Sequence, residues 1–353
     1  MKSSPHLNLI AHTGHHAALN TGRFSLRGRE SWVLSWSIDG RLYEGEASPL
    51  EGFGADSATA CHQELVDLDS ELLVELSESC AQANAPLEEL GRISPHFESP
   101  AARFAFETVV LGRVAHLLGV PLWQLIKRFA GHSDPTPSRL PVSAVIDPSW
   151  TDWELRADAL FGQGVRTFKI KVGRDLNAEL RCLSALSARF GPELRVRLDP
   201  NQAWSAHEMT ELSREAFEFD FEWIEDPTSE ADGWRELESS VPFAADEILI
   251  GEDPSTFFLD LLGAHFVLLK PMALGGFLAC LAWAHVARQS RRPVSISHLF
   301  DGPRALDACV HLAFALQTPG LTPGLGLHAG LEGWTEEPQY VKVDHLVLPG
   351  FGP

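Results

Sequence analysis

Between Thr167 and Gly276, five short apolar runs each end on charged residues, with enough chain between successive runs for a helix. In order they are Thr167-Phe-Lys169-Ile-Lys171, Arg195-Val-Arg197-Leu-Asp199, Phe221-Glu-Trp-Ile-Glu225-Asp226, Ala245-Asp246-Glu247 and Leu268-Leu-Lys270. Asp199, Glu225 and Asp246 are separated by 26 and then 21 residues, about one βα unit each time. Strand and helix in alternation imply a parallel sheet, and charge repeated at C-terminal strand ends implies a closed barrel with its chemistry at one mouth.

The same alternation extends from Leu140 onward. It predicts strands near 141–146, 166–171, 194–199, 221–225, 243–246, 265–270 and 293–297. Helices are expected near 150–162, 175–189, 205–217, 231–239, 254–262, 275–289 and 303–316. The chain of 353 residues is longer than one core usually grows, so a second, smaller unit is expected. Residues 1–130 supply it. Trp32–Ile38, the turn Asp39-Gly40 and Arg41–Gly45 read as a hairpin. The run Ser57–Gln82 has helical spacing after a Ser57 cap, and Ser99-Pro100 opens a helix to about Leu118. The expected architecture is α/β: a (β/α)7β TIM-like barrel over 131–324 with an N-terminal α+β capping domain, which the tail 325–353 rejoins.

Composition narrows the partners. With 48 Asp+Glu against 28 Lys+Arg, the formal net charge is −20, which argues against nucleic acid or an anionic membrane surface. Five scattered cysteines with no C-x-x-C pairing read as reduced thiols, and neither a signal peptide nor a membrane-spanning run is visible, so a cytoplasmic protein is expected.

Lys169 and Lys171 lie at i and i+2 of one strand and therefore share a face. Two ammonium groups this close disfavour each other's charge, which makes one a usable base near neutrality. An isolated K-x-K pair is usually an exposed edge; at the end of a barrel strand the balance reverses. Asp199, Glu225 and Asp246 suit Mg²⁺, a hard cation that takes oxygen ligands. A single such acid is more often a cap, and Asp226 and Glu247 are assigned that supporting role. Arg197 shares the parity of Asp199 and needs a carboxylate partner if it points inward. Lys270 ends an apolar strand, and Gly275-Gly276 beyond it would let a helix N-terminus approach an anion.

These residues resemble the enolase superfamily, in its muconate-lactonizing-enzyme-like branch, over nearly the whole chain. The resemblance implies metal ligands at Asp199, Glu225 and Asp246, Mg²⁺ with Mn²⁺ as a substitute, and acid/base lysines at Lys171 and Lys270 assisted by Lys169. Within that branch, three stretches look most like the o-succinylbenzoate synthase family: Gly45-Glu-Ala-Ser-Pro-Leu-Glu-Gly-Phe-Gly54, Arg197-Leu-Asp-Pro-Asn201-Gln-Ala-Trp204 and Lys270-Pro-Met-Ala-Leu-Gly-Gly276. The first departs from that family's pattern at Glu51 and Gly54. Ser297 and His298 stand where a serine-rich loop would bind a carboxylate; the plainer reading of His298 is that it satisfies a loop carbonyl. The resemblance further implies a small anionic carboxylate substrate, a dehydration through an enediolate, closure of residues 22–30 and 50–54 over the site, and a homo-oligomer as an open possibility. An epimerase of N-acylamino acids or dipeptides needs the same two lysines. Against the dipeptide reading, no D-x-D pair stands between 318 and 335. Muconate cycloisomerisation ranks lower, and a non-catalytic barrel is the alternative from another class.

Overall fold

A computed structural model describes residues 5–14, 19–20, 25–26, 28–53, 56–205, 221–229, 234, 242–257 and 263–350. Strands β1 (His6–Gly14), β4 (Arg29–Ile38) and β5 (Arg41–Ala47) form an antiparallel sheet in the order β1-β4-β5, and β2 (Leu19–Asn20) pairs with β3 (Ser25–Leu26). The hairpin between β4 and β5 turns at Asp39 and Gly40, both at positive φ, as its sequence predicts. Helix Pro100–Leu117 packs against β5. Gly45 has no side chain because a Cβ there would strike the carbonyl of Ala105. The Ser99 hydroxyl caps that helix by accepting from Ala102 N at 3.2 Å and donates to Asp56 at 2.7 Å.

The expected single run from Ser57 to Gln82 is two helices, Ala58–Val66 and Ser70–Gln82. The break comes at Asp67–Asp69, where the Asp69 carboxylate caps the second helix through Glu71 N. Short acidic residues compete for backbone donors and so stop and restart helices that periodicity alone would join.

The remainder is a parallel sheet of seven strands in the order β13-β12-β11-β10-β9-β8-β7. They are β7 (Ser143–Ile146), β8 (Thr167–Lys171), β9 (Arg195–Asp199), β10 (Phe221–Glu225), β11 (Phe243–Ala245), β12 (Phe266–Leu269) and β13 (Val294–Ile296). The ring closes through 322–326: Ser143 N donates to Pro323 O at 3.1 Å and Gly324 N to Ile296 O at 2.8 Å. The eighth position is thus filled by a segment with one parallel bridge, Ser297 to Gly324. Helices Trp153–Gly162, Leu176–Phe190, Phe277–Gln289 and Pro303–Leu316 match the expected spans. The helices expected at 205–217 and 231–239 lie outside the described residues. So does most of 254–262, whose described part forms turns.

The tail crosses back. β14 (His345–Val347) pairs with β6 (Arg139–Pro141), and Trp334 stacks on His12 of β1 with ring centroids 3.8 Å apart. All five cysteines are buried thiols. Among the described residues no single helix is long and apolar enough to cross a bilayer.

Candidate active site

The barrel mouth gathers the strand-end charges. The ladder sets Lys171 beside Asp199 and Lys169 beside Arg197, so the parity inferred for β8 and β9 holds. Lys171 Nζ donates to Asp199 Oδ2 at 2.6 Å and to Asn201 Oδ1 at 3.0 Å. Lys169 Nζ lies 2.6 Å from the same Asp199 oxygen and also pairs with Glu225. Lys270 Nζ donates to Asp246 Oδ2 at 2.5 Å. In a ring of eight positions β8 and β12 are four apart, so Lys171 and Lys270 approach the mouth from opposite sides.

Supporting residues fix these groups. Asn201 Nδ2 donates to Glu247 Oε1 at 2.8 Å, and Trp223 Nε1 to Glu225 Oε1 at 3.1 Å. Asp226 accepts from Asp246 N, Ile248 N and Gln202 Nε2, which ties the ends of β9, β10 and β11 together. Asn201, Gln202 and Asp226 all adopt positive φ. Such backbone persists only where surrounding contacts over-determine it, and it concentrates at functional sites.

Electrostatics divide the lysines. Burial lowers the pKa of Lys171 and the ammonium of Lys169 adds to this, outweighing Asp199. For Lys169 burial acts the same way, but Asp199, Glu225 and Asp246 overcome it and hold the ammonium firmly charged. Lys270 is raised, with Asp246 overcoming burial. Asp199 is held below the usual carboxylate range because Lys169, Lys171 and Lys270 outweigh its burial. Burial raises Glu225 and Asp246. Burial, with the charge of Asp246, pushes Asp226 up to about 8. The repulsion inferred from K-x-K therefore acts on one member only: Lys171 is the amine whose charged form is disfavoured.

The donor set fits a hard divalent cation. Asp199, Glu225 and Asp246 are 1%, 2% and 3% exposed, and Asp246 Oδ1 is buried without a hydrogen-bond partner. Among the described residues the three do not stand together as one ligand cluster. They are drawn instead onto ammonium groups, with Lys169 bridging Asp199 and Glu225.

Two sequence expectations find their partners within the protein. At Gly275 and Gly276 the anion approached by the helix N-terminus is Glu107 of helix Pro100–Leu117, which accepts from Leu278 N at 3.0 Å. A Cβ on Gly276, at φ +96, would lie 2.5 Å from Glu107 Oε2, so the glycine pair lets the cap dock. Arg197 is buried with the carboxylate partner expected of it, Glu222 at 2.6 Å, and its guanidinium lies over Trp223.

Ser297 and His298 line the cavity over the lysines, with Phe53, Phe300 and His328. His298 Nδ1 accepts from Phe300 N at 3.0 Å, a loop amide where the plainer reading expects a loop carbonyl, and its ring stacks on His328 at 3.8 Å. Of the loops expected to close the site, Phe53 reaches it, 5.5 Å from Lys270 Nζ. Residues 22–24, 27 and 54 are outside the described set. Sequence reasoning missed His328, Phe300 and Phe53 as individual residues: Phe53 stands inside the Gly45–Gly54 stretch without being singled out, and the other two arrive from loops remote in sequence. It also missed Gly324 and Gly326, where a Cβ would crowd Ser297 Oγ and Ser143 O.

A capped parallel barrel with strand-end acids and two opposed lysines defines an enolase-type fold and site. The chain belongs to the enolase C-terminal domain-like family, whose model matches residues 154–350, and is an enzyme of that superfamily. It is 26% identical over 337 residues to the o-succinylbenzoate synthase of Desulfotalea psychrophila, covering 87% of this chain and 88% of that one. Among solved structures it is similar to the N-succinyl Arg/Lys racemase of Bacillus cereus, with TM-score 0.78 and 20% identity over 99% of this chain and 94% of the other. It is also similar to the dipeptide epimerase of Methylococcus capsulatus complexed with Mg and L-Arg-D-Lys, with TM-score 0.75 and 22% identity over 99% of each chain.

Proposed function

We propose that this chain is a Mg²⁺-dependent carbon–oxygen lyase, an o-succinylbenzoate synthase. It would dehydrate 2-succinyl-6-hydroxy-2,4-cyclohexadiene-1-carboxylate to o-succinylbenzoate. The supporting observation is the pair of lysines on opposite sides of the mouth, beneath a cavity lined by Ser297, His298 and Phe300. With Lys169, Lys171 and Lys270 in its lining, that cavity suits a substrate carrying carboxylates. A non-catalytic barrel would instead keep its rim acids solvated.

In this reading neutral Lys171 removes the proton α to the carboxylate, and Asn201 and Asp199 hold its nitrogen in place. Lys270, kept charged by Asp246, faces the opposite side of the ring and stabilises the growing negative charge. The proton on Lys171 then passes to the departing hydroxyl, which leaves as water as the ring becomes aromatic. Asp199, Glu225 and Asp246 would hold Mg²⁺, which when bound supplies Lewis-acid stabilisation of the substrate carboxylate. A lysine base working with Mg²⁺ is the known pattern of enolase-type sites.

Racemisation of an N-succinylamino acid is the second reading, because opposed lysines serve it equally and acylation removes the ammonium charge. A dipeptide epimerase fits less well: the closing segment presents Gly324 and Gly326 to the mouth, with no space for a side chain at either. Incubation with the cyclohexadiene carboxylate and Mg²⁺, followed by absorbance, tests the assignment. Aromatisation is expected. Racemisation of N-succinylamino acids without any aromatisation would overturn it.

A further inference from the structure

Arg29 is buried at the start of β4, on the cap side of the molecule, and its fork of donors is spent on four backbone carbonyls. Nε donates to Pro49 O at 3.1 Å and Nη2 to Ser48 O. Nη1 donates to Leu299 O at 2.6 Å and Phe300 O at 2.9 Å. The first two carbonyls belong to the cap loop that carries Phe53. The other two belong to the barrel loop that carries His298 and Phe300. Phe53, His298, Leu299 and Phe300 all line the cavity above Lys171 and Lys270. One guanidinium therefore joins the two walls of the pocket without touching its contents.

Two further observations make this more than a domain contact. Phe300 sits at φ 55, a backbone region that bulky residues avoid. The carbonyl bonded by Arg29 is that of the strained residue itself. Glu46 of β5, just before Ser48, crosses to the same loop and accepts from Gly302 N at 2.6 Å and from Arg304 N and Ala305 N at 3.2 Å. It thereby caps helix Pro303–Leu316 from the other domain. A side chain on Gly302 would collide with Trp334 and with Glu46, so this crossing point admits only glycine.

We infer that Arg29 is a positioning residue: it holds the 298–300 loop against the 48–53 loop in the strained form that shapes the substrate pocket. This rests on the proposed activity for its kinetic readout, and on no particular chemistry for its structural one. The lysines and the carboxylates are anchored on other strands, so loosening the loop acts on binding and leaves proton abstraction largely intact.

The test compares Arg29→Met and Arg29→Lys with the wild-type chain in Mg²⁺. Both should raise KM for the cyclohexadiene carboxylate, Arg29→Met by about tenfold or more, with kcat changed by less than about threefold. Amide hydrogen exchange at 299–302 should speed up at least tenfold, while amides in the middle of helix Pro303–Leu316 stay protected. A purely structural role would lower thermal stability without moving KM of the folded enzyme. Unchanged KM and unchanged exchange at 299–302 would overturn the inference, as would a loss confined to kcat. If Arg29→Met fails to fold, Arg29→Lys carries the test, since one ammonium cannot span all four carbonyls. If the wild-type chain turns over neither substrate class, the proposed activity fails, and the exchange measurement still decides the role of Arg29.

Discussion

Lys169 and Lys171 share one acceptor: each ammonium lies 2.6 Å from Asp199 Oδ2. Two cations held on one oxygen cannot be equivalent, and the remaining neighbours decide which keeps its charge. Lys169 also has Glu225, whereas the second contact of Lys171 is a neutral amide.

The asymmetry predicts a pH effect. With its pKa lowered, Lys171 becomes neutral at lower pH than an ordinary lysine, so kcat/KM rises with pH to a plateau reached early. Lys169→Met removes a like charge and leaves Asp199 to Lys171 alone, both of which raise the Lys171 pKa. The rising limb should move to higher pH in this variant. An unmoved limb would show that Lys171 is not the base.

Lys171→Met should lower kcat by about 10²–10⁴-fold, the usual worth of a positioned general base. Thermal stability should change little by comparison, because a buried amine is removed rather than a packing group. Full retention of kcat would assign proton abstraction to another residue.

Mg²⁺ should raise the melting temperature. At a concentration about 100 times Kd, linkage gives about 2.7 kcal/mol. Asp199→Asn should abolish the increase, as measured by thermal melts with and without the metal. A metal response retained in Asp199→Asn would remove this carboxylate from the ligand set.

Gly276→Ala should destabilise the fold by about 1–3 kcal/mol, since the new methyl meets Glu107 Oε2 at a backbone φ of +96. Denaturant unfolding measures it. A neutral result would mean that the cap can shift on the barrel at no cost.

Asp307 gives a stability test remote from the lysines. It accepts from Gln339 N and Tyr340 N, yet burial outweighs these bonds and pushes its pKa up from 3.8 to about 6. Between those values the folded state binds more protons than the unfolded chain, so this group's stabilisation is full below 3.8 and is lost as pH rises through about 6. The loss is on the order of 2–3 kcal/mol. Asp307→Asn should flatten that part of the stability–pH curve, and an unchanged slope would refute the attribution.

The parallel sheet and its charged strand ends were legible because βα alternation and i, i+2 parity are local properties. Asp199, Glu225, Lys171 and Lys270 all lie where those rules place them. The helix break at Asp67–Asp69 was less visible, since it turns on one carboxylate choosing a backbone donor. Gly275-Gly276 was half legible, for a different reason. A glycine pair before a helix signals close approach to something, and only the packed cap shows that the something is Glu107.

By itself the sequence determined which residues stand at the strand ends and which of them share a face, because strand period and helix length follow from neighbouring residues along the chain. The tertiary structure alone decided which lysine has its charged form disfavoured, which anion meets Gly276 and which loops wall the pocket. Those outcomes depend on burial and on distances between segments remote in sequence, from Arg29 to Phe300 and from Glu107 to Leu278.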